Sequence, residues 1–156
     1  MKYKNTLIAV RDMEASKRFY REALGLRVTA DFGANVTLTG GVCLQTLSSW
    51  QSFIDSAHIT LGGNDAELYF EEEHFDAFVS LIEKLPDIRL VHGVKEHSWG
   101  QRVLRFYDPD MHIIEVGEPL SCVCRRFTEA GMDAAQIAQR MDIPEAMVRR
   151  LIKQLS

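Results

Sequence analysis

The sequence predicts an α+β fold built from two strand–helix–strand–strand–strand units and a helical tail. Three observations lead there. Short apolar runs rich in β-branched residues alternate with longer amphipathic runs in one order, and that order returns at an offset of roughly 60 residues. Glycine and proline fall between the runs, where tight connections need them. Beyond residue 118 the strand-like runs stop, and apolar residues recur at helical spacing.

The elements follow in chain order. Thr6 to Val10 is a short β-branched run and predicts a strand. Asp12 is placed to cap a helix from about Met13 to Ala23, because its carboxylate can accept free N–H groups of the first turn. Met13, Ser16, Phe19, Tyr20 and Ala23 share one face of that helix, and Gly25 ends it. Three strand-like runs come next: Leu26 to Asp31, Asn35 to Thr39 and Val42 to Leu47, separated by Gly33 and by Gly40-Gly41. Trp50 to Asn64 is the least regular stretch and reads as a linker. The second unit opens with a strand at Glu67 to Phe70. A helix from His74 to Leu85 follows, with Phe75, Phe78, Val79 and Ile82 on its buried stripe and Pro86 at its end. Arg89 to Val94, Arg102 to Tyr107 and Ile113 to Val116 complete the repeat. The tail reads as three helices: Leu120 to Ala130, Asp133 to Met141 and Pro144 to Leu155, the last two with the rhythm of a helix-turn-helix. The predicted organisation is thus a domain over residues 1–118, with units at about 1–49 and 65–118, and an appendage over 119–156.

Composition narrows the function classes. Hydrophobic residues are 46% and charged residues 26% of the 156, which is ordinary for a folded soluble chain. No apolar run reaches the roughly 18 residues of a membrane span, and no signal-peptide cleavage pattern follows Met1, so a cytoplasmic location is expected. Cys43, Cys122 and Cys124 are too few and too oddly spaced for a disulfide framework or a zinc knuckle. A net charge of −4 argues against general nucleic-acid binding. The charge is uneven, however: six basic and four acidic residues give the tail +2 and leave −6 on the rest.

Three segments resemble the vicinal oxygen chelate superfamily, that of glyoxalase I, bleomycin-resistance proteins, fosfomycin-resistance enzymes and extradiol dioxygenases. Asn5-Thr-Leu-Ile-Ala-Val-Arg-Asp12, with Ser16-Lys-Arg-Phe-Tyr20 and Leu24-Gly25, is similar to the opening of such a module. His97-Ser-Trp-Gly100, Arg105-Phe-Tyr-Asp-Pro-Asp110 and Ile113-Ile-Glu-Val116 resemble its closing strands, and Glu67 to Phe78 the start of a second module. The resemblance spans about residues 3 to 118. It implies paired βαβββ modules in an incompletely closed mixed-sheet barrel, a small molecule on the concave face, and a homodimer. One departure is Met111, where the family's Asp-Pro-Asp turn usually carries glycine; methionine tolerates φ > 0 poorly, so the turn is expected either to be strained or to use a different geometry.

Metal-using members of that superfamily hold an ion with four inward side chains. Carried over residue by residue, these positions fall on Asn5, Gln45, Asp65 (or Asn64) and Glu115. The set has no imidazole and no thiolate, and two of its members are neutral amides, so a transition metal is disfavoured and neither metal nor other cofactor is expected. The five histidines sit in turns, at a helix start or in the linker and do not supply a site.

The remaining candidates are contacts for an organic ligand. Trp50 and Trp99 offer stacking faces with one N–H donor each, or else plug the sheet ends as core. Arg105 and Tyr107 share a strand face opposite Leu104 and Phe106; facing inward, Arg105 is an anion anchor, facing water it is decoration. Glu115 is an acid/base candidate if buried, or else a carboxylate hydrogen-bonded to Gln45 or Asn5. The functional expectation is a metal-free glyoxalase/bleomycin-resistance-like protein that binds a small organic molecule, with catalysis left open. Two alternatives stand beside it: a metal-dependent lyase, isomerase or dioxygenase resembling lactoylglutathione lyase, and a regulator that contacts DNA through Arg149, Arg150 and Lys153. For the tail, packing on its own domain or on a dimer partner is expected over DNA contact.

Overall fold

A computed structural model describes residues 1–153, and these divide into two compact units: 1–66 with 107–113, and 67–106 with the chain from 114 onward. In the first unit, β1 (Thr6–Val10) leads into α1 (Met13–Leu24), then β2 (Val28–Asp31), β3 (Asn35–Leu38) and β4 (Val42–Thr46), in the sheet order β1-β4-β3-β2. β1 runs parallel to β4, which the crossover through α1 requires, and β2, β3 and β4 form an antiparallel meander. Asp12 caps α1 through the Ala15 N–H at 3.0 Å, and Gly25 closes it at φ 66°, a left-handed value that glycine adopts at little cost. Register then sorts the side chains. Ile8, Leu44 and Val36 are partners across the sheet, and Leu44 and Val36 are wholly buried in the core with Tyr20 and Ala23 of α1. Successive residues point oppositely, so Leu7–Cys43–Thr37 and Ala9–Gln45–Asn35 form the rows of the other face.

The turn after Tyr107 is tied to α1 by a buried polar knot. One Asp108 oxygen accepts the Asp110 and His112 N–H groups at 2.9 and 2.8 Å; the other accepts the Tyr20 hydroxyl at 2.9 Å and lies 2.8 Å from His112 Nδ1. Burial first, and the neighbouring Asp108 charge second, push the Tyr20 hydroxyl well above its ordinary pKa, so it stays a donor. Asp110 in turn accepts from the Arg11 backbone and guanidinium at 3.2 and 3.1 Å. Met111 stands at φ 70°, the left-handed conformation that its replacement of glycine makes costly.

The second unit repeats the plan: β5 (Glu67–Glu71), α3 (Phe75–Ile82), β6 (Arg89–Glu96), β7 (Arg102–Tyr107) and β8 (Ile113–Gly117), in the order β5-β8-β7-β6. The α+β class and the duplicated module are therefore as the sequence predicts. α3 buries Phe75, Phe78 and Ile82, with Phe78 meeting Phe106 of β7 at 6.3 Å between ring centres. Leu104 and Phe106 thus belong to the core, and Arg105 lies on the opposite face.

The tail forms α4 (Leu120–Glu129), α5 (Ala134–Met141) and α6 (Glu145–Lys153) around Val123, Phe127, Ile137, Met141 and Val148. Asp133 and Gln136 make a reciprocal capping box on α5, and Asp142 ends that helix in the left-handed region at φ 54°. The sequence extends the last helix to Leu155; its end lies outside the described residues. The tail is packed onto the β6–β7 turn. Phe127 lies so close to Gly100 that a Cβ there would fall 2.2 Å from its ring. Arg126 donates to the Gly100 carbonyl and to Glu118 at 3.0 Å, while Arg140 donates to the Ser98 carbonyl and pairs with Glu96 at 3.4 Å. Glu118 also holds Arg102 at 2.7 Å. Two of the tail's six basic side chains thus meet acids of the second unit.

One sequence reading needs correction. Leu47–Phe53 is a helix, α2, so Trp50 stands on a helix and irregular chain is confined to about residues 54–66. Leu47, Trp50 and Phe53 do recur at helical spacing, but over seven residues that signal is too short to outweigh the Ser48-Ser49 pair. Ser49 secures the first turn by donating to the Thr46 carbonyl at 2.9 Å. Among the described residues no helix is long and apolar enough to cross a membrane.

Candidate functional site

Each sheet has one face turned away from its core helix, and the candidate residues collect there. In the first unit that face is neutral. Asn5 donates through Nδ2 to Cys43 Sγ at 2.9 Å, and the Thr37 hydroxyl lies 3.4 Å from the same sulfur. In the adjacent row Asn35 donates to Gln45 Oε1 at 2.7 Å, and the Gln45 amide nitrogen donates to Ser49. Gln45 is 2% exposed, so its amide is held by these partners rather than by water. Trp50 lies half-buried on α2, and Asp65 is exposed in the irregular segment; neither belongs to the amide network.

The corresponding face of the second unit is charged. Arg105 of β7 reaches across β8 to β5: its Nε donates to Glu67 at 2.8 Å, and its Nη2 forms an ion pair with Glu115. Its Nη1 lies 3.4 Å from His92 Nε2 on β6. The Glu115 side chain is 7% exposed and that of Arg105 23%, so the pair is largely desolvated and one guanidinium is shared by two carboxylates. Arg105 therefore faces neither bulk water nor an open anion site. Glu115 meets Arg105 rather than an amide. Tyr107 is half-buried at the end of β7.

Sequence reasoning placed the second unit's first position at Asp65 (or Asn64); both precede β5, and the β5 carboxylate that meets Arg105 is that of Glu67. A signal was available, since Asn5 precedes the helix-capping Asp12 by seven residues and Glu67 precedes His74, at the head of α3, by the same seven. His74 is not a capping residue type and makes no side-chain cap, so the marker was mute. Cys43 was also missed as a member of the open face.

Trp99 stands apart from the charged cluster, on the turn between β6 and β7. It stacks on His97 with ring centres 4.3 Å apart and 12° between planes. Burial first, then the charges of Arg105 and His92, push the His97 pKa below its ordinary value, which keeps that ring neutral and stackable. The Trp99 N–H donates to Gln101 Oε1 at 3.1 Å, and Gln101 donates to the Tyr69 hydroxyl at 3.0 Å and to the Glu118 carbonyl at 2.7 Å.

A resident metal does not fit these residues. Glu67 and Glu115 are both engaged by a guanidinium, so a divalent ion would have to displace Arg105 to reach either carboxylate. In the first unit the Gln45 oxygen already accepts a hydrogen bond and the Asn5 amide is directed at sulfur. Among the described residues no three of His, Cys, Asp and Glu are grouped so as to hold an ion.

Comparison with known proteins agrees with this architecture. A family model described as glyoxalase-like domain matches residues 3–121, ending at the start of α4. A crystal structure of a protein of unknown function from Agrobacterium tumefaciens is 40% identical, with a TM-score of 0.70 over 76% of this chain and 94% of its own. A glyoxalase-related enzyme from Fulvimarina pelagi shares the fold at 20% identity and TM-score 0.67, over 77% of this chain and 89% of its own. A glyoxalase/bleomycin resistance protein/dioxygenase family enzyme from Burkholderia phytofirmans does so at 14% and 0.64, over 74% and 96%. No curated protein matches by sequence.

Proposed function

Because this chain belongs to the glyoxalase-like domain family, within the vicinal oxygen chelate superfamily, we propose that it binds a small organic molecule on the open face of its second sheet without a metal. One observation carries the reading: Arg105 is held between Glu67 and Glu115, which puts a fixed positive charge where a metal-using site needs two free carboxylates. Two carboxylates against one guanidinium leave the cluster net negative, so it suits a neutral or positively charged ligand rather than an anion. Glu115 and Arg105 are the proposed polar contacts, with Trp99 as the stacking surface. The amides of Asn5 and Gln45 offer neutral hydrogen-bonding groups on the first sheet, and Trp50, Asp65 and Tyr107 remain further candidate contacts.

Metal analysis of the chain purified without chelator, followed by a thermal-shift screen of small organic fragments, tests this. The expected result is substoichiometric metal, together with fragments that raise the melting temperature of the wild type but not of Glu115→Gln. Stoichiometric metal, or fragment effects indifferent to Glu115→Gln, contradicts the proposal.

A further inference from the structure

A chamber of about 360 Å³, broadly open to solvent, lies on the same unit, and the tail supplies part of its lining. From the sheet side come Tyr69, Trp99 and Gln101; from the tail come Leu120 at the head of α4, Met141 at the end of α5 and Ile143 in the turn before α6. Gly117 of β8 makes room for the sheet wall, since a Cβ there would come within 3.4 Å of the Tyr69 ring and 3.2 Å of the Gln101 amide nitrogen. The tail wall is fixed by the contacts of Phe127, Arg126 and Arg140 on the very turn that carries Trp99. Leu120, Met141 and Ile143 therefore do not float over the sheet face but are held against it.

The chemistry of the walls selects an occupant. The Gln101 amide is spent on Trp99, Tyr69 and the Glu118 carbonyl, so it presents little free hydrogen-bonding capacity. Two aromatic side chains, a thioether and two branched aliphatic side chains remain, which suit a flat, polarisable ring. Glu71 is the charged group at the rim. Its Oε1 accepts the Tyr69 hydroxyl at 3.0 Å. An exposed carboxylate beside aromatic walls favours a positive charge on that ring. The volume, near the lower end of small-molecule pockets, admits a molecule of two or three fused rings.

We infer that this chamber is a subsite for a planar aromatic cation, gripped jointly by the sheet face and the α5–α6 turn. The inference rests on the reading of the second sheet as the ligand-binding face and adds the ligand class and the tail's part in holding it. Occupancy stabilises the docked tail, because a ligand that touches both walls binds only when both are in place.

The test uses the full chain carrying Trp50→Phe, so that Trp99 is the remaining tryptophan, titrated with the planar cation proflavine by calorimetry and Trp99 quenching. Saturable binding is expected. Ile143→Lys, which puts a cation on the tail wall, and separately Trp99→Ala read by calorimetry, each weaken it roughly tenfold or more. Glu71→Gln weakens it about threefold. Amide exchange across residues 141–145 slows when proflavine is present. Trp99 is partly exposed, so its replacement tests the site even if Ile143→Lys does not fold. Absence of binding, equal binding of the similarly sized anion 8-anilinonaphthalene-1-sulfonate, or affinity unchanged in both wall variants overturns the inference. Such failures leave the sheet-face reading in place, whereas stoichiometric metal in the purified chain removes that reading without touching the proflavine result.

Discussion

The open faces of the two sheets differ more than the plan they share. Asn5 stands just before the first strand of its unit and Gln45 on the fourth; Glu67 begins the first strand of the other unit and Glu115 stands on its fourth. An amide stands in one unit wherever a carboxylate stands in the other. The amide face satisfies itself with neutral partners: a thiol, a hydroxyl and a second amide. The carboxylate face cannot, because two acids on neighbouring strands repel, and the third strand supplies Arg105 to neutralise them. The difference teaches that the second unit carries its own counter-charge and that the first unit needs none.

Removing the counter-charge breaks that contrast most severely. Arg105→Met leaves a buried Glu115 beside Glu67 with no cation, a loss of about 3 kcal/mol or more in chemical denaturation. Adding Glu115→Gln, which makes the second face resemble the first, is expected to restore much of it. The reciprocal change comes next in size. Gln45→Glu places a carboxylate at a position 2% exposed with no arginine to meet it, costing about 2 kcal/mol at neutral pH. Burial of that carboxylate raises its folded pKa, so its cost is small in acid and grows as pH rises; melting curves at two pH values measure this.

Acid is expected to act more mildly on the tail's ion pairs. Burial alone would raise the Glu118 pKa, but hydrogen bonds from Arg102 and Arg126 overcome it and hold the carboxyl below its ordinary 4.5. Below that value the unfolded chain takes up the proton first, so stability present at neutral pH is lost as pH falls through the folded pKa. Exchange protection of α4 and α5 followed from pH 6 to about pH 3 should decline, and Glu118→Gln should flatten the decline. The smallest effect lies outside both faces. Met111→Gly relieves the left-handed strain at φ 70° but gives up methionine packing, for a net gain of about 0.5 kcal/mol.

Much of this was legible in the sequence because local signals were strong. Asp12 and Gly25 bracket α1 as capping chemistry requires, and alternation set Arg105 on the face opposite Leu104 and Phe106 while leaving open which face is inward. The glycine missing at Met111 marked the turn as unusual but left strain and altered geometry open, and φ 70° decides for strain. What stayed hidden depends on contacts between residues far apart in the chain. The local marker for Glu67, its spacing from the head of α3, is mute because His74 makes no side-chain cap, and its pairing with Arg105 rests on a strand register set across the sheet. The docking of Arg126 and Arg140 on residues 96–100 is equally non-local, and nothing in the tail's own sequence points to it.

Titration of Mn²⁺ into the wild type and into Arg105→Met by calorimetry bears most directly on the role given to Arg105. Heat of binding confined to the variant, where Glu67 and Glu115 are released, is the predicted outcome. Equal or tighter binding by the wild type contradicts it, since Arg105 would then be no barrier to the ion.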